Sequence, residues 1–182
     1  MKRTSEQILT EWLVLQIQSG SREARNRLVS RWQPLLQRYA QRQLHDEEDA
    51  RDVVQDTFIT VFGRIHTLRD PAAFPKWVYQ ILHRRCVDLI RRRHRTRTKT
   101  EGEPSRHGTD PSVVPNYEAE LDVAAALAKL SRESYLAVHL HYLHGLSLQD
   151  IADIGAVPVG TIKSRLFNAR RLLRRYLGGD DE

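Results

Sequence analysis

Apolar residues recur every three or four positions along most of the chain, and no stretch alternates as a strand would. In the N-terminal half this spacing predicts four helices, at residues 5–18, 21–44, 48–65 and 72–93. Pro34 falls inside the second helix and is expected to kink or split it. Pro71 and Pro75 fall at the start of the fourth helix, where proline is tolerated. The C-terminal half predicts shorter helices at 118–129, 132–144, 147–154 and 159–177.

Residues 94–116 interrupt the helical pattern because they contain almost no apolar side chains. A run of this length without periodicity is typical of a linker and not of a loop inside a compact domain. The sequence therefore predicts an all-α protein with two small helical domains, residues 5–93 and 117–177, joined by a flexible linker at 94–116.

The composition predicts a soluble globular protein, since 40% of the 182 residues are hydrophobic and 29% are charged. No apolar run approaches the roughly 20 residues of a membrane span, and the N-terminus lacks the apolar core of a signal peptide. The single cysteine, Cys86, cannot form an internal disulfide. We therefore expect a cytoplasmic protein that does not insert into a membrane.

The net charge of +6 is distributed unevenly. Basic residues dominate residues 84–99 and 163–175, whereas acidic residues dominate residues 46–56. Two basic stretches predict two contacts with nucleic acid, and the acidic stretch predicts a contact of another kind.

The C-terminal basic stretch belongs to a predicted helix-turn-helix. Ser147 and Asp150 have the spacing of a capping box, and Pro158 suits the first turn of the next helix. That helix begins with small and polar residues and then becomes basic, which is typical of a helix in the DNA major groove. The alternative is an ordinary helical hairpin with a solvated basic face. The candidate duplex-binding residues are Pro158, Val159, Gly160, Thr161, Lys163, Ser164, Arg165, Asn168, Arg170 and Arg171.

The acidic stretch lies on the predicted helix at 48–65. With 100° per residue, the acidic residues Asp49, Asp52 and Asp56 lie opposite the core face. Val53 and Ile59 also fall toward the acidic side, and apolar residues among carboxylates indicate a protein interface. Two alternatives remain: a solvated acidic face, or pairing with the domain's own arginines.

Aromatic residues precede the first basic stretch on the predicted helix at 72–93. Phe74, Trp77 and Tyr79 could stack on unpaired bases while the following cations bind phosphates, and the loop at 66–71 could complete a pocket. The alternative is that these rings are core residues, since Phe74 and Trp77 share a face with Ile81.

These three elements, in this order, resemble the extracytoplasmic-function sigma factors (group 4) of bacterial RNA polymerase. The resemblance covers about residues 11–177. Its most specific motifs are Asp49-Ala-Arg-Asp-Val-Val-Gln-Asp-Thr-Phe58, Phe74-Pro-Lys-Trp-Val-Tyr-Gln-Ile81 leading into Asp88-Leu-Ile-Arg-Arg-Arg93, and Val159-Gly-Thr-Ile-Lys-Ser-Arg-Leu166.

By this resemblance the first domain corresponds to sigma region 2 and the second to region 4, which reads the −35 element as duplex DNA. The resemblance implies core RNA polymerase (its β′ clamp and β flap) and promoter DNA as partners, and an anti-sigma factor as a further candidate. The implied polymerase-binding residues are Asp49, Asp52, Val53, Gln55, Asp56 and Ile59. The implied −10 residues are Leu68, Phe74, Lys76, Trp77, Tyr79, Gln80, His83, Arg84, Asp88, Arg91 and Arg92.

The expected function is promoter-specific transcription initiation. No catalysis is expected, because the sequence has no Ser, His and Asp in the order of a catalytic triad, no phosphate-binding loop and no paired carboxylates with a catalytic role. No cofactor is expected either. The runner-up is a self-sufficient helix-turn-helix regulator that binds DNA alone. His139, His141 and His144 suggest a metal site, but on a regular helix His139 points away from the other two, so none is expected. The Gly155–Ala156 turn departs from the family, which commonly has glycine at the position of Ala156.

Overall fold

The computed structural model describes residues 4–100, 123 and 125–176, and their regular secondary structure is entirely helical. The chain divides into two compact units, Met1–Thr96 and Arg97–Glu182, called here the N-terminal and C-terminal units. The predicted all-α class with two helical domains is thereby confirmed. Residues 101–116 of the predicted linker (94–116) and the start of the second domain at 117–122 lie outside the described residues, so those limits stay predictions.

The N-terminal unit has four helices: α1 (Ser5–Gln18), α2 (Arg22–Leu44), α3 (Glu47–Arg64) and α4 (Phe74–Thr100). Two 3₁₀ turns, Ile65–Thr67 and Pro71–Ala73, connect α3 to α4. Pro34 does not split α2, because it lies on the exposed side of the helix. Helix α4 continues seven residues beyond the predicted end at Arg93. This extension, residues 94–100, contains no glycine or proline to end the helix.

Side-chain caps explain why these helices begin where they do. Thr4 and Gln7 form a capping box on α1, with contacts of 3.0 and 3.3 Å. Ser21 accepts a hydrogen bond from the Ala24 amide at the start of α2, and Asp46 accepts one from the Asp49 amide at the start of α3. These oxygens satisfy amides that have no partner within the helix.

The core of the N-terminal unit is built from regularly spaced apolar residues of all four helices. Helix α1 contributes Leu13, Val14 and Ile17, and α3 contributes a stripe from Ala50 to Val61. Between α2 and α4 lies an aromatic cluster of Trp32, Tyr39, Phe74 and Tyr79, with ring centroids 5.1–6.1 Å apart. The fully buried members each contribute about 1.5–3 kcal/mol to folding through burial of apolar surface.

The C-terminal unit has a helical turn at 125–128, then α5 (Arg132–Val138), a π-helical turn (His139–Leu143), α6 (Leu148–Gly155) and α7 (Val159–Tyr176). The predicted capping box of Ser147 and Asp150 is present. Helices α5 and α6 both pack on α7. An apolar seam joins these helices, since Ile151, Ile154, Ile162 and Leu166 are buried and Val157 is half-buried.

No helix among the described residues is both long and apolar enough to cross a membrane.

Candidate functional site

Helix α3 carries an exposed acidic face made of Asp52, Gln55, Asp56 and Ile59. Ile59 is 64% exposed, so an apolar side chain does lie among carboxylates. The predicted outward orientation of Val53 is wrong, because Val53 is only 8% exposed. Val53 lies three residues after the buried Ala50 and four before the buried Thr57, so it belongs to the same core stripe.

Two acidic residues of α3 pair with arginines of α4. Arg85 donates to Asp56 Oδ2 at 2.8 Å and to Thr60 Oγ1 at 2.6 Å, and Arg93 forms an ion pair with Asp49. The alternative of intramolecular pairing is therefore realised for Asp49 and Asp56. Asp52 forms no ion pair with any described residue and faces solvent.

The aromatic residues at the start of α4 do not share one environment. Phe74 and Tyr79 are fully buried against Trp32 and Tyr39, so interpreting these two rings as surfaces for base stacking is wrong. Both belong to the side of α4 that packs on α2. Trp77 is only half-buried, with its ring 6.3 Å from that of Phe74.

The polar members of the predicted −10 set on α4 differ in their exposure to solvent. His83 Nδ1 lies 2.9 Å from the Tyr39 hydroxyl, which fixes the imidazole against the core. Lys76 and Gln80 are half-buried. The exposed members of the predicted set are Arg84, Asp88, Arg91 and Arg92.

The loop before α4 is held by Gln18, through a contact that could not be predicted from the sequence. Gln18, near the end of α1, donates its side-chain amide to the carbonyls of Ile65 and Leu68, both at 2.8 Å. Asp70 then caps the Pro71–Ala73 turn through the Ala72 amide at 2.9 Å. A contact across 50 residues leaves no local signal, so only the fold could show it.

Helix α7 presents its first turns to solvent, as expected for a helix that enters a groove. Val159, Thr161 and Arg165 are half-buried, and Arg170 lies at the edge of this surface, where its Nε donates to the Leu166 carbonyl at 3.3 Å. The remaining predicted residues are exposed: Pro158, Gly160, Lys163, Ser164, Asn168 and Arg171.

Phe167 is the most exposed large apolar side chain of α7, at 61%, and it is not among the residues predicted to bind DNA. It lies in one row with Lys163 and Arg171, four residues from each. That spacing is visible in the sequence and is the signal that identifies it.

Beside the C-terminal part of α7, the C-terminal unit has an apolar groove of about 520 Å³. Tyr142 and Leu143 beside it are 56% and 66% exposed. The groove is lined by Val123, Leu127, Tyr135, Val138, His139, Tyr142, Leu143, Arg170, Leu173 and Arg174.

The three histidines are arranged differently from the prediction, which had His139 pointing away from His141 and His144. The reason is that the helix changes its pitch there. In the π-helical turn, side chains five residues apart come together, and the rings of His139 and His144 lie 5.2 Å apart. His141 instead bonds the Leu146 carbonyl at 2.9 Å. Burial, and then the neighbouring His139, lower the pKa of His144 to about 3. Within the described part of the chain, no group of three or more His, Cys, Asp or Glu side chains is placed to hold a metal ion.

Comparison with known proteins decides the family. Residues 28–96 match the model of Sigma-70 region 2, and residues 120–173 match that of Sigma-70, region 4. The ECF RNA polymerase sigma-E factor of Haemophilus influenzae is 33% identical, over 95% of this chain and 97% of that protein. The chain belongs to the extracytoplasmic-function sigma factors of the sigma-70 family. It is thus an alternative sigma factor that directs transcription initiation, a member of a family of DNA-binding regulators.

Another relative and a solved structure support the same family assignment. The ECF RNA polymerase sigma factor SigE of Mycolicibacterium smegmatis is 34% identical over 82% of this chain, which spans 60% of that longer protein. The fold is similar to that of the Bartonella quintana sigma factor RpoE, solved in complex with the anti-sigma factor NepR. That similarity has a TM-score of 0.63 and 25% identity, over 86% of this chain and 98% of that one.

Proposed function

We propose that the sigma factor divides its work among three surfaces: α3 binds core polymerase, α4 with its preceding loop binds the −10 element, and α7 reads the −35 element. The observation that carries the proposal is that exposed acidic and exposed basic side chains lie on different helices. Exposed carboxylates and an exposed isoleucine lie on α3, whereas exposed arginines and lysines lie on α4 and α7. An acidic and apolar face repels DNA and suits a protein partner.

The polymerase surface comprises Asp52, Gln55, Asp56 and Ile59, with Asp49 at its edge and Val53 as a buried support. Ile59 supplies apolar area, and the carboxylates match a basic partner such as the β′ clamp. Asp52 is the sharpest site for a test because it has no ion pair among the described residues. The variant Asp52→Arg should lose co-purification with core polymerase, whereas the control Glu23→Arg on α2 should retain it.

The −10 surface begins at the loop held by Gln18 and continues along α4. Half-exposed Trp77 supplies a ring for an unpaired base, and Lys76, Gln80, Arg84, Arg91 and Arg92 supply donors for bases and phosphates. Buried Phe74 and Tyr79 and half-buried His83 support this surface, and Leu68 and Asp88 lie at its margins. Strand opening comes from binding energy applied to unstacked bases. The sigma factor catalyses no reaction itself.

The −35 surface is the start of α7. Gly160 and Ser164 allow close approach to the groove, and Lys163 and Arg165 reach base edges or phosphates. The exposed ring of Phe167 suits contact with a thymine methyl group. Arg170 and Arg171 contact the phosphate backbone. The pair Lys163→Ala and Arg165→Ala should weaken binding of polymerase holoenzyme to promoter DNA while core binding persists.

We assign the β flap to the apolar groove beside the C-terminal part of α7, since Tyr142 and Leu143 are exposed there. Arg170 borders both this groove and the −35 surface. An anti-sigma factor is a further partner, supported by the complex in which the related RpoE was solved. The site of action is the cytoplasm, where polymerase and promoter DNA are found.

A further inference from the structure

Helices α3 and α4 are joined by two ion pairs, here called the ion-pair ladder: Asp56 with Arg85, and Asp49 with Arg93. Seven residues separate the two aspartates and eight separate the two arginines. Both spacings are two helical turns, about 11 Å, so the two helices run antiparallel and the pairs form successive rungs.

The ladder connects two surfaces with different partners. Its aspartates border the acidic face of α3, and its arginines belong to the basic helix α4. Arg84 and Arg91, which neighbour the ladder on α4, are exposed and make no ion pair with described residues. The two aspartates of the ladder also belong to the proposed polymerase surface, and its two arginines lie next to residues of the proposed DNA surface.

The Asp56–Arg85 rung is accessible enough to exchange partners, since the side chain of Asp56 is 58% exposed and that of Arg85 is 35% exposed. In the other rung Arg93 is 50% exposed, whereas Asp49 is 19% exposed. Ion pairs at such exposure contribute little to stability and are screened by salt. An external cation or anion of suitable geometry can replace either partner.

We propose that Arg85 and Arg93 are additional DNA-binding residues, and that Asp49 and Asp56 occupy them in the free protein. The inference rests on the proposed function. When the carboxylates engage a basic surface of core polymerase, the two arginines are released to bind the phosphates of the −10 strand. Coupling of this kind is reciprocal, so DNA binding raises the affinity for polymerase by the same factor.

The test uses the full-length protein without polymerase and a fluorescein-labelled single-stranded DNA of mixed sequence. Asp49→Asn with Asp56→Asn should bind this DNA about fivefold more tightly at low salt, given the strength of exposed ion pairs. Each released arginine should also steepen the dependence of log affinity on log salt by about 0.7. The single variant Asp56→Asn, at the more exposed rung, should show part of both effects.

Glu48→Gln is the matched control, because it removes one negative charge from α3 at an exposed residue that has no ion pair among the described residues. Its effect on DNA binding should be smaller than that of Asp56→Asn, with an unchanged salt slope. Adding Arg85→Gln and Arg93→Gln to the double aspartate variant should abolish the gain. Circular dichroism establishes that each variant is folded.

Equal gains in Asp56→Asn and Glu48→Gln, or a gain that survives loss of both arginines, would overturn the coupling. Either result would leave the proposed function standing as long as the unaltered protein supports promoter-dependent transcription with core polymerase. Conversely, failure of that transcription with the ladder effect intact would contradict the proposed function alone.

Discussion

At the scale of single residues, exposure separates the roles that the sequence had grouped together. Val53 and Ile59 both fell toward the acidic side of α3, yet one is buried and the other is 64% exposed. Phe74, Tyr79 and Trp77 looked equivalent at the head of a basic helix, yet only Trp77 keeps an accessible ring. A 100° wheel gives direction but not the width of the buried sector, which depends on how many helices pack around it.

Ala156 ends α6 in the left-handed conformation, with φ 50° and ψ 45°. A Cβ costs about 1 kcal/mol there, and glycine avoids this cost. Ala156→Gly should therefore stabilise the C-terminal unit by about 0.5–1 kcal/mol, measured by amide hydrogen exchange at Ile162 and Leu166. The control Ala125→Gly makes the same change at an exposed helical residue and should destabilise the unit. A loss of protection in Ala156→Gly would contradict the assigned turn geometry.

His144 makes the stability of the C-terminal unit sensitive to acid. Its pKa falls from 6.5 to about 3 on folding, so between these values the proton binds only the unfolded state. Stability that is fully present above pH 6.5 is lost as the pH decreases, by about 1 kcal/mol at pH 5.5.

His144→Gln should remove this loss, so that opening of α7, measured by hydrogen exchange corrected for intrinsic rates, changes less between pH 7.5 and 5.5. His141→Gln is the comparison, because His141 bonds the Leu146 carbonyl and does not pair with His139. An unchanged pH dependence in His144→Gln would contradict the assignment of a half-buried, neutral imidazole.

At the scale of elements, helix positions follow from caps and apolar spacing, and the exceptions have physical causes. The capping box of Ser147 and Asp150 was predictable because its signal is local in the sequence. The π-helical turn at His139–Leu143 could not be predicted, since inserting a residue into a helix leaves no sequence pattern of its own. The extension of α4 to Thr100 likewise could not be predicted, because residues 94–100 carry no apolar stripe.

Removing a half-exposed ring of α4 should affect DNA binding, whereas removing a buried ring should affect stability. Trp77→Ala should leave the N-terminal unit folded but weaken binding of single-stranded −10 DNA by holoenzyme, because a stacked ring is worth about 1–3 kcal/mol per base. Phe74→Ala should destabilise the unit itself by about 3–5 kcal/mol. Urea unfolding followed by tryptophan fluorescence reports this unit, since Trp12, Trp32 and Trp77 all lie in it. Equal DNA binding by Trp77→Ala and the unaltered protein would exclude stacking at this ring.

At the scale of the whole molecule, charge distribution was the most reliable guide to function. Opposite charges were visible as separate stretches in the sequence, and the structure places their exposed members on different helices. What the sequence did not reveal is that the acidic and basic helices of the N-terminal unit also contact each other through Asp49–Arg93 and Asp56–Arg85. Such pairs join residues 29 and 44 positions apart and depend on helix packing.

Run-off transcription from a genomic fragment library is the most direct test of the central claim, that the three surfaces together confer promoter specificity on core polymerase. We predict discrete promoter-initiated transcripts when core polymerase and this protein are both present, and none with either alone. Asp52→Arg should abolish these transcripts. The absence of promoter-dependent transcripts, together with tight binding of the free protein to duplex sites, would contradict the account and favour a self-sufficient DNA-binding regulator.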